Sequence, residues 1–558
     1  MTEEHFNTAI SAFSGLDILL KRCIQSLDIW QRANDSTASF ASFKARLEFQ
    51  CAKLNSWAQQ WGIENDQQLS HDRFRGFEIM GCLRLIYRLA YDLSRLDNGF
   101  PTLSKSQNLS AMDRYSRIRQ MGSWMSIETD GLDEVDSTST LLTYIPEPLK
   151  WALQQEKSEQ SLSLLRVLIQ DLCEAFPPPR YDPSGYVVLG SFLESQDATA
   201  LARASDALDS TTLPGRLAWA KSVSYGNGFL GSATRTKTLR LEEPKLLLGR
   251  ERETNRFEGT YDGSKVLVER KQITTAPGDI PTRGILDARI DNIALRLEDP
   301  LKPIEFRTLP CAGMTIKEEP TADRIQSTYC LVYCVDTPWF SLRSLISRGL
   351  HRTVPDINHS FPLGHRFRIA QNLARAVMHL HVASWLHKAF KSENILFFGS
   401  DEANAGRKLP YLAGFEYSRP DAEDERTEEV VANDESSLYR HPKAGVVPKA
   451  DSLQPLGAAG NYSKVYDVYS LGVVLIELGL FESASSIVKP NASKRSPRTE
   501  IRSALVENAI PKLRFTCGDI YAEVASKCIN GFFEQVQPRE LDRAFYIEIV
   551  RKLDLCSA

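Results

Sequence analysis

The hydrophobic rhythm of the chain changes near residue 244, and that change governs what the chain can fold into. Upstream, apolar residues recur every three or four positions. One series is Phe6, Ile10, Phe13, Leu16, Leu20, Ile24 and Leu27; a second is Phe43, Leu47, Cys51, Leu54, Ala58 and Trp61; a third is Phe74, Ile79, Leu83, Ile86, Ala90 and Leu93. This spacing predicts three helices, each with one apolar face. Asn34-Asp35-Ser36 separates the first from the second, and Gly62 closes the second. Residues 98–140 are polar and irregular and read as a long loop. A fourth helix is predicted from about Pro146 to Phe176, where Pro177-Pro178-Pro179 stops it. Residues 180–240 read as a connection with short helices near 198–208 and 213–223. Beyond 244, strand-like runs appear at Lys245–Leu248, Lys265–Glu269 and Thr328–Val335, and from about 341 the pattern is mostly helical.

A chain of 558 residues exceeds what one core usually holds, so two to four domains are expected. Net charge is −4, which argues against a nucleic-acid partner recruited by bulk charge. The ten cysteines form no C-x-x-C pair, which fits reduced thiols better than disulfides or a zinc site. The acidic opening Met1-Thr2-Glu3-Glu4-His5 is a poor signal peptide, and no run of about 18 apolar residues offers a membrane span. A cytoplasmic location is expected.

Residues 386–396 read Leu-His-Lys-Ala-Phe-Lys-Ser-Glu-Asn-Ile-Leu. They resemble the protein-kinase catalytic loop, H-R-D-L-K-P-E-N-I-L, with His387, Lys391, Glu393, Asn394, Ile395 and Leu396 in step. Downstream, Tyr466-Asp467-Val468-Tyr469-Ser470-Leu471-Gly472 resembles the kinase helix that opens D-V-W-S-L-G. Upstream, Tyr329-Cys330-Leu331-Val332-Tyr333 resembles the strand that leads into the kinase hinge. Three motifs in order cover roughly 300 residues. The resemblance implies a two-lobed α+β domain over 244–558, with a small lobe over 244–338 and a large lobe over 339–558.

Phosphoryl transfer needs charge neutralised on the moving phosphate and a positioned nucleophile. By the resemblance, the proton-accepting Asp of the catalytic loop falls on Ala389, which can accept nothing. The metal-holding Asp of D-F-G falls on Gly414 of Gly414-Phe415-Glu416, or on Ala413 if the frame shifts by one. The phosphate-clamping Lys falls on Glu269, ten residues after Gly259, while Lys271 lies two positions on and on the same strand face. The phosphate-covering glycines fall on Gly249, Glu251 and Thr254, so only Gly249 is kept. Gly249, His387, Lys391, Asn394 and Asp467 are retained kinase-motif residues. A lone Asn394 cannot hold magnesium and is expected to bond the loop backbone, while His387 and Asp467 tie the loop to the core. The resemblance therefore implies a pseudokinase: no catalytic residue, no metal and no cofactor, with residual ATP binding left open. The acidic run Asp421–Glu429 stands at the activation-loop position and reads as a solvated loop.

The N-terminal part resembles the HeLo (prion-inhibition and propagation) domain of filamentous fungi. The resemblance runs over roughly 5–215 and is carried by the Cys23-Ile24 to Ser26-Leu27 segment, the Phe43–Leu54 helix and the ending Trp57-Ala58-Gln59-Gln60-Trp61-Gly62-Ile63. It implies an all-α bundle over 1–220, a linker over 221–243, and a link to heterokaryon incompatibility and regulated cell death. It also implies protein partners, self-association through the bundle and conditional membrane contact on activation. The helix over 6–20 reads as a bundle face, interrupted by Asp17. The expected protein is multidomain: a helical bundle controlled by a catalytically dead kinase-like domain. The alternatives are a scaffold without membrane activity, and an atypical active kinase using Lys271, Asn394 and Glu416.

Overall fold

The computed structural model describes residues 38–61, 147–175, 212–225, 239–276, 280–300, 302–320, 323–350, 361–420, 436–444, 462–488 and 498–558, with single positions at 86, 193, 201, 205 and 208. The helices expected over 6–27 and 74–93 (Ile86 apart), the loop over 98–140, the helix near 198–208 beyond its single positions, and the acidic run over 421–429 lie outside the described residues.

Two compact units divide the chain, Met1–Val188 and Leu189–Ala558. In the first, helix α1 (Ala38–Trp61) packs against α2 (Glu147–Ala175). Phe43, Leu47, Cys51 and Leu54 of α1 are buried, as the three-to-four spacing predicts, and so is Trp57, outside that series. From α2 come Leu162, Leu165, Ile169 and Leu172. Arg46 grips Glu159 with both terminal nitrogens, at 2.8 and 2.5 Å, tying the two helices together across their polar edge.

The second unit begins earlier than 244. Helix α3 (Leu213–Tyr225), which the expected bounds put at the end of the 1–220 bundle and the start of the 221–243 linker, belongs to it. Leu217 and Ala218 are fully buried there, and Trp219 Nε1 donates to Asp299 Oδ2 at 2.7 Å.

A five-stranded antiparallel sheet follows, in the order β1-β2-β3-β5-β4. Its strands are β1 (Leu246–Glu253), β2 (Arg256–Tyr261), β3 (Ser264–Thr275), β4 (Cys311–Pro320) and β5 (Ile325–Cys334). Asp262 and Gly263, both at positive φ, make the two-residue turn between β2 and β3. Strand alternation sends Phe257, Val266, Val268, Cys330 and Val332 into one apolar cluster. It sends Arg256, Leu267, Glu269, Lys271, Leu331 and Tyr333 to the opposite face, also buried. Helix α4 (Ile280–Glu298) packs against β4, and Asp287 accepts from Tyr329 Oη at 2.8 Å. Neither α4 nor β4 was read from sequence. Strand β4 ends in Lys317-Glu318-Glu319-Pro320, all exposed, which hides its strand character.

The rest is mainly helical: α5 (Leu342–Leu350), α6 (Leu363–Val382), α7 (Lys464–Leu480), α8 (Arg498–Cys517) and α9 (Asp519–Ile529). Short strands β6 (Trp339–Ser341), β8 (Ile395–Phe398) and β9 (Tyr411–Leu412) form one small sheet, and β7 (Trp385–Leu386) pairs with β10 (Arg419–Pro420). Helix α7 is the hub: Asp467 through Gly479 is buried without a break. Gly472 and Gly479 permit that closeness, since a Cβ would sit 2.5 Å from Cys528 and from Leu513. The eight cysteines among the described residues are unpaired.

Within this hub, Glu477 accepts from Tyr439 Oη with both oxygens at 2.8 Å and from the Ala484 N–H at 2.8 Å. Burial pushes its carboxyl up to about 7. A raised acid favours the protonated folded state, so its contribution is full below the ordinary value of 4.5 and is lost as pH rises through about 7. Glu477→Gln is therefore expected to flatten the fall in melting temperature between those two pH values. An unchanged pH profile would refute the assignment.

Candidate functional site

The segment 386–396 is held by one buried carboxylate. Asp467 Oδ2 accepts the His387 N–H at 2.8 Å, and Oδ1 accepts the Lys388 N–H at 2.9 Å and the Tyr462 hydroxyl at 2.9 Å. Lys388 adopts φ 65°, a left-handed turn at this point of the loop. Burial opposes the charge on Asp467, but the His381 contact at 3.4 Å and the hydrogen bond from the His387 N–H outweigh it and hold the carboxyl below its usual range. The His387 ring lies 4.5 Å from Phe415, so the loop also packs on the 414–417 turn.

This anchoring delivers Asn394 and Gly414 to the buried face of β3. Asn394 Nδ2 donates to the Ala389 carbonyl at 2.6 Å, and the Asn394 carbonyl accepts the Ala413 N–H at 2.9 Å. Gly414 sits at φ +84°, where a Cβ would lie 2.1 Å from Asn394 Nδ2. The amide of Asn394 thus fills the space a side chain at 414 would need. Gly414 N–H points instead at Glu269 Oε1, 2.6 Å away.

Glu269 is 3% exposed, and its second oxygen accepts from Tyr333 Oη at 2.9 Å. Its counter-charge is Arg256, directly opposite in the β2–β3 register. Arg256 Nε and Nη2 donate to Glu269 Oε1 at 3.2 and 2.8 Å. Nη2 also reaches Asn394 Oδ1 at 2.7 Å, and Nη1 reaches the Glu393 carbonyl at 2.7 Å. One guanidinium thereby joins the sheet to the 386–396 segment. Burial works against its charge, yet Glu269 more than compensates and its pKa is raised.

The remaining expected residues surround this cluster. Lys271 Nζ donates to the Glu416 carbonyl at 2.9 Å and lies 4.7 Å from the Tyr417 ring centroid. Burial, then the neighbouring Glu269, push the Glu416 carboxyl upward. Lys391 Nζ pairs with Glu393 Oε2 at 2.5 Å, and Arg343 bonds the other oxygen of Glu393. Ala389, half-buried, presents only main-chain groups to Asn394 and His387. Gly249 lies in β1, against β2, where a Cβ would be 2.9 Å from the Glu258 carbonyl oxygen. Beyond it, β1 and β2 turn at Thr254-Asn255, and Glu253 accepts from Ser341 Oγ at 2.5 Å. The open cleft outside the cluster, about 450 Å³, is lined by Glu251, Glu253, Arg343, Ser347 and Glu393 among others.

Glu269, Asn394 and Gly414, placed at one site by the sequence, lie together in the structure: the Gly414 N–H bonds Glu269, and Arg256 bonds both Glu269 and Asn394. Sequence reading missed Arg256. The signal was available: Glu269 follows Val266-Leu267-Val268, and a carboxylate in so apolar a strand requires a cation.

Residues 8–184 match the family model HeLo, described as prion-inhibition and propagation. Residues 313–555 match a family described as a domain of unknown function (DUF7580). A stretch of 196 residues, 34% of this chain, is 24% identical to a protein described as a probable serine/threonine-protein kinase, kinY, of Dictyostelium discoideum. The chain spans 29% of that relative's length. No helix among the described residues is long and apolar enough to cross a membrane.

Gly414→Ala is expected to lower stability by about 2–4 kcal/mol, since it adds left-handed strain to the collision with Asn394. Chemical denaturation checks this, and a change below about 0.5 kcal/mol would contradict the packing described. The chain is multidomain: a helical N-terminal region matching the HeLo model, and a C-terminal α+β region with weak similarity to a protein kinase.

Proposed function

We propose that the C-terminal α+β region is a catalytically inactive kinase-like module that controls the HeLo region in signalling of the incompatibility or regulated-cell-death type. The observation that carries the inactive reading is the Arg256–Glu269–Asn394 cluster. In a kinase-like frame, nucleotide phosphates and magnesium belong beside Glu269, Asn394 and Gly414. The residues here do not fit them. Glu269 repels phosphate, Gly414 offers no ligand, and Asn394 already bonds Arg256 and Ala389. Arg256 itself fills the space between the strands and the loop. Two of the three residues an atypical kinase could use are engaged, Lys271 with the main-chain carbonyl of Glu416 and Asn394 with Arg256, and burial disfavours the charge on the third, the Glu416 carboxyl.

Control of the HeLo region rests on the pairing of the two regions in one chain and on the link of HeLo domains to incompatibility signalling. A regulator without phosphoryl transfer acts by favouring one of two arrangements of the protein. The proposed partners are proteins, including further copies of this chain through the helical region, with membrane contact conditional on activation. A scaffold lacking any membrane step is the second reading. Dye release from phospholipid vesicles by the full chain separates the two.

The inactive reading is tested by titrating the full chain with ATP, with and without magnesium, and following its melting temperature. A ligand that binds only the folded state must raise it. No shift at millimolar nucleotide is expected. A magnesium-dependent rise would overturn the reading and revive phosphoryl transfer by Lys271 and Glu416.

A further inference from the structure

We propose that Glu269, Asn394 and the Glu393 carbonyl form a preorganised guanidinium-binding cage, and that Arg256 occupies it as a resident cation that holds the cleft closed without any external ligand. The inference deepens the inactive reading of the cleft, because it names what stands in the place of a nucleotide and its metal.

The geometry is that of a built site. A guanidinium carries five N–H donors in one plane. Four hydrogen bonds leave Arg256 from Nε, Nη1 and Nη2, all between 2.7 and 3.2 Å, to three acceptor groups on two separate chain segments. Each acceptor is aimed by groups other than Arg256. Tyr333 Oη and the Gly414 N–H orient the two Glu269 oxygens. The Ala389 carbonyl fixes the Asn394 amide so that its oxygen faces inward. The backbone of β3 and the turn at 392–394 set the rest. Trp339 lies against the guanidinium carbon at 6.0 Å from its ring centroid. Arg256 and Glu269 are both almost wholly buried, at 4% and 3% side-chain exposure, so water cannot replace the missing partner of either.

Two consequences follow. The cage survives removal of its occupant, because Tyr333, Gly414 and Ala389 still hold the acceptors. It also prefers a planar fork to a compact ammonium, because the acceptors lie around the edge of a plane. Closure of the cleft is then a fixed property of the chain, released by displacing β1 and β2 rather than by losing a ligand.

Chemical rescue tests the cage. Arg256→Ala in the full chain is expected to lower the melting temperature of the C-terminal unit by roughly 5–15 °C. Guanidinium chloride at about 10 mM should then recover a large part of the loss, since it binds the folded state alone. In the wild-type chain, whose cage is filled, the same salt at about 10 mM is too dilute to denature and should leave the melting temperature essentially unchanged. Methylammonium chloride at equal concentration should not rescue, and Arg256→Ala combined with Glu269→Gln should not respond to guanidinium. Loss of stability without rescue, or equal rescue by methylammonium, would overturn the proposal. Should Arg256→Ala not accumulate in folded form, Glu269→Gln is read instead by hydrogen exchange. Reduced protection shared by β1, β2 and the Gly414 amide is expected, and unchanged protection would overturn the cage. The nucleotide titration stays separate: ATP binding by the wild-type chain would remove the inactive reading, whereas failed rescue without ATP binding would remove the cage alone.

Discussion

A carboxylate at the end of a Val-Leu-Val run must be paired or neutral once its strand is buried on both faces. Glu269 is paired, and the arrangement of the cleft depends on how. The β2–β3 register sets Arg256 directly across from it, so the pair forms within the sheet before any helix is needed. Two strands supply both charges, yet the guanidinium has donors left over. Those reach Asn394 and the Glu393 carbonyl, and the sheet is thereby fastened to the helical part through hydrogen bonds rather than through apolar contact alone. Taking away either charge would leave the other buried and alone, which costs far more than the intact pair gains.

The second fixed point is Asp467. It stands in the first turn of α7, whose buried stretch runs on to Gly479, and it reads out its position to the 386–396 segment through two main-chain N–H groups. Asp467 and the Arg256 cluster act in series. The first sets where residues 387 and 388 lie, and the short turn at 392–394 then carries Asn394 to the guanidinium. His387, Asn394 and Asp467 each have a structural place in these terms. All three have backbone or packing partners inside the chain.

Gly414 illustrates how an absent side chain becomes part of the architecture. With no side chain it can adopt φ +84°, turn its N–H to Glu269 and leave room for Asn394. An Asp there would meet the Asn394 amide and face a carboxylate already in place. The open cleft that remains is bordered by Glu251, Glu253 and Glu393 together with Arg252 and Arg343.

The sequence by itself determined the helical first region, the buried face of α1 and the extent of α2, the strands that carry Glu269 and Tyr333, and the identity of the residues at the loop and turn. Those follow from local periodicity and from short motifs, which depend on neighbours a few positions away. Strand β4 and helix α4 escaped it because their charged stretches, Lys317-Glu318-Glu319 among them, mask the period that burial would impose. The assignment of α3 to the second unit escaped it too, since Trp219 and Asp299 meet only in three dimensions. Arg256 is the sharpest case. In the sequence it is one of many charged residues in an Arg- and Glu-rich hairpin. Only the pairing register, the depth of the cleft and the approach of a segment more than a hundred residues away decide that this Arg, and not Arg250 or Arg252, becomes the buried cation.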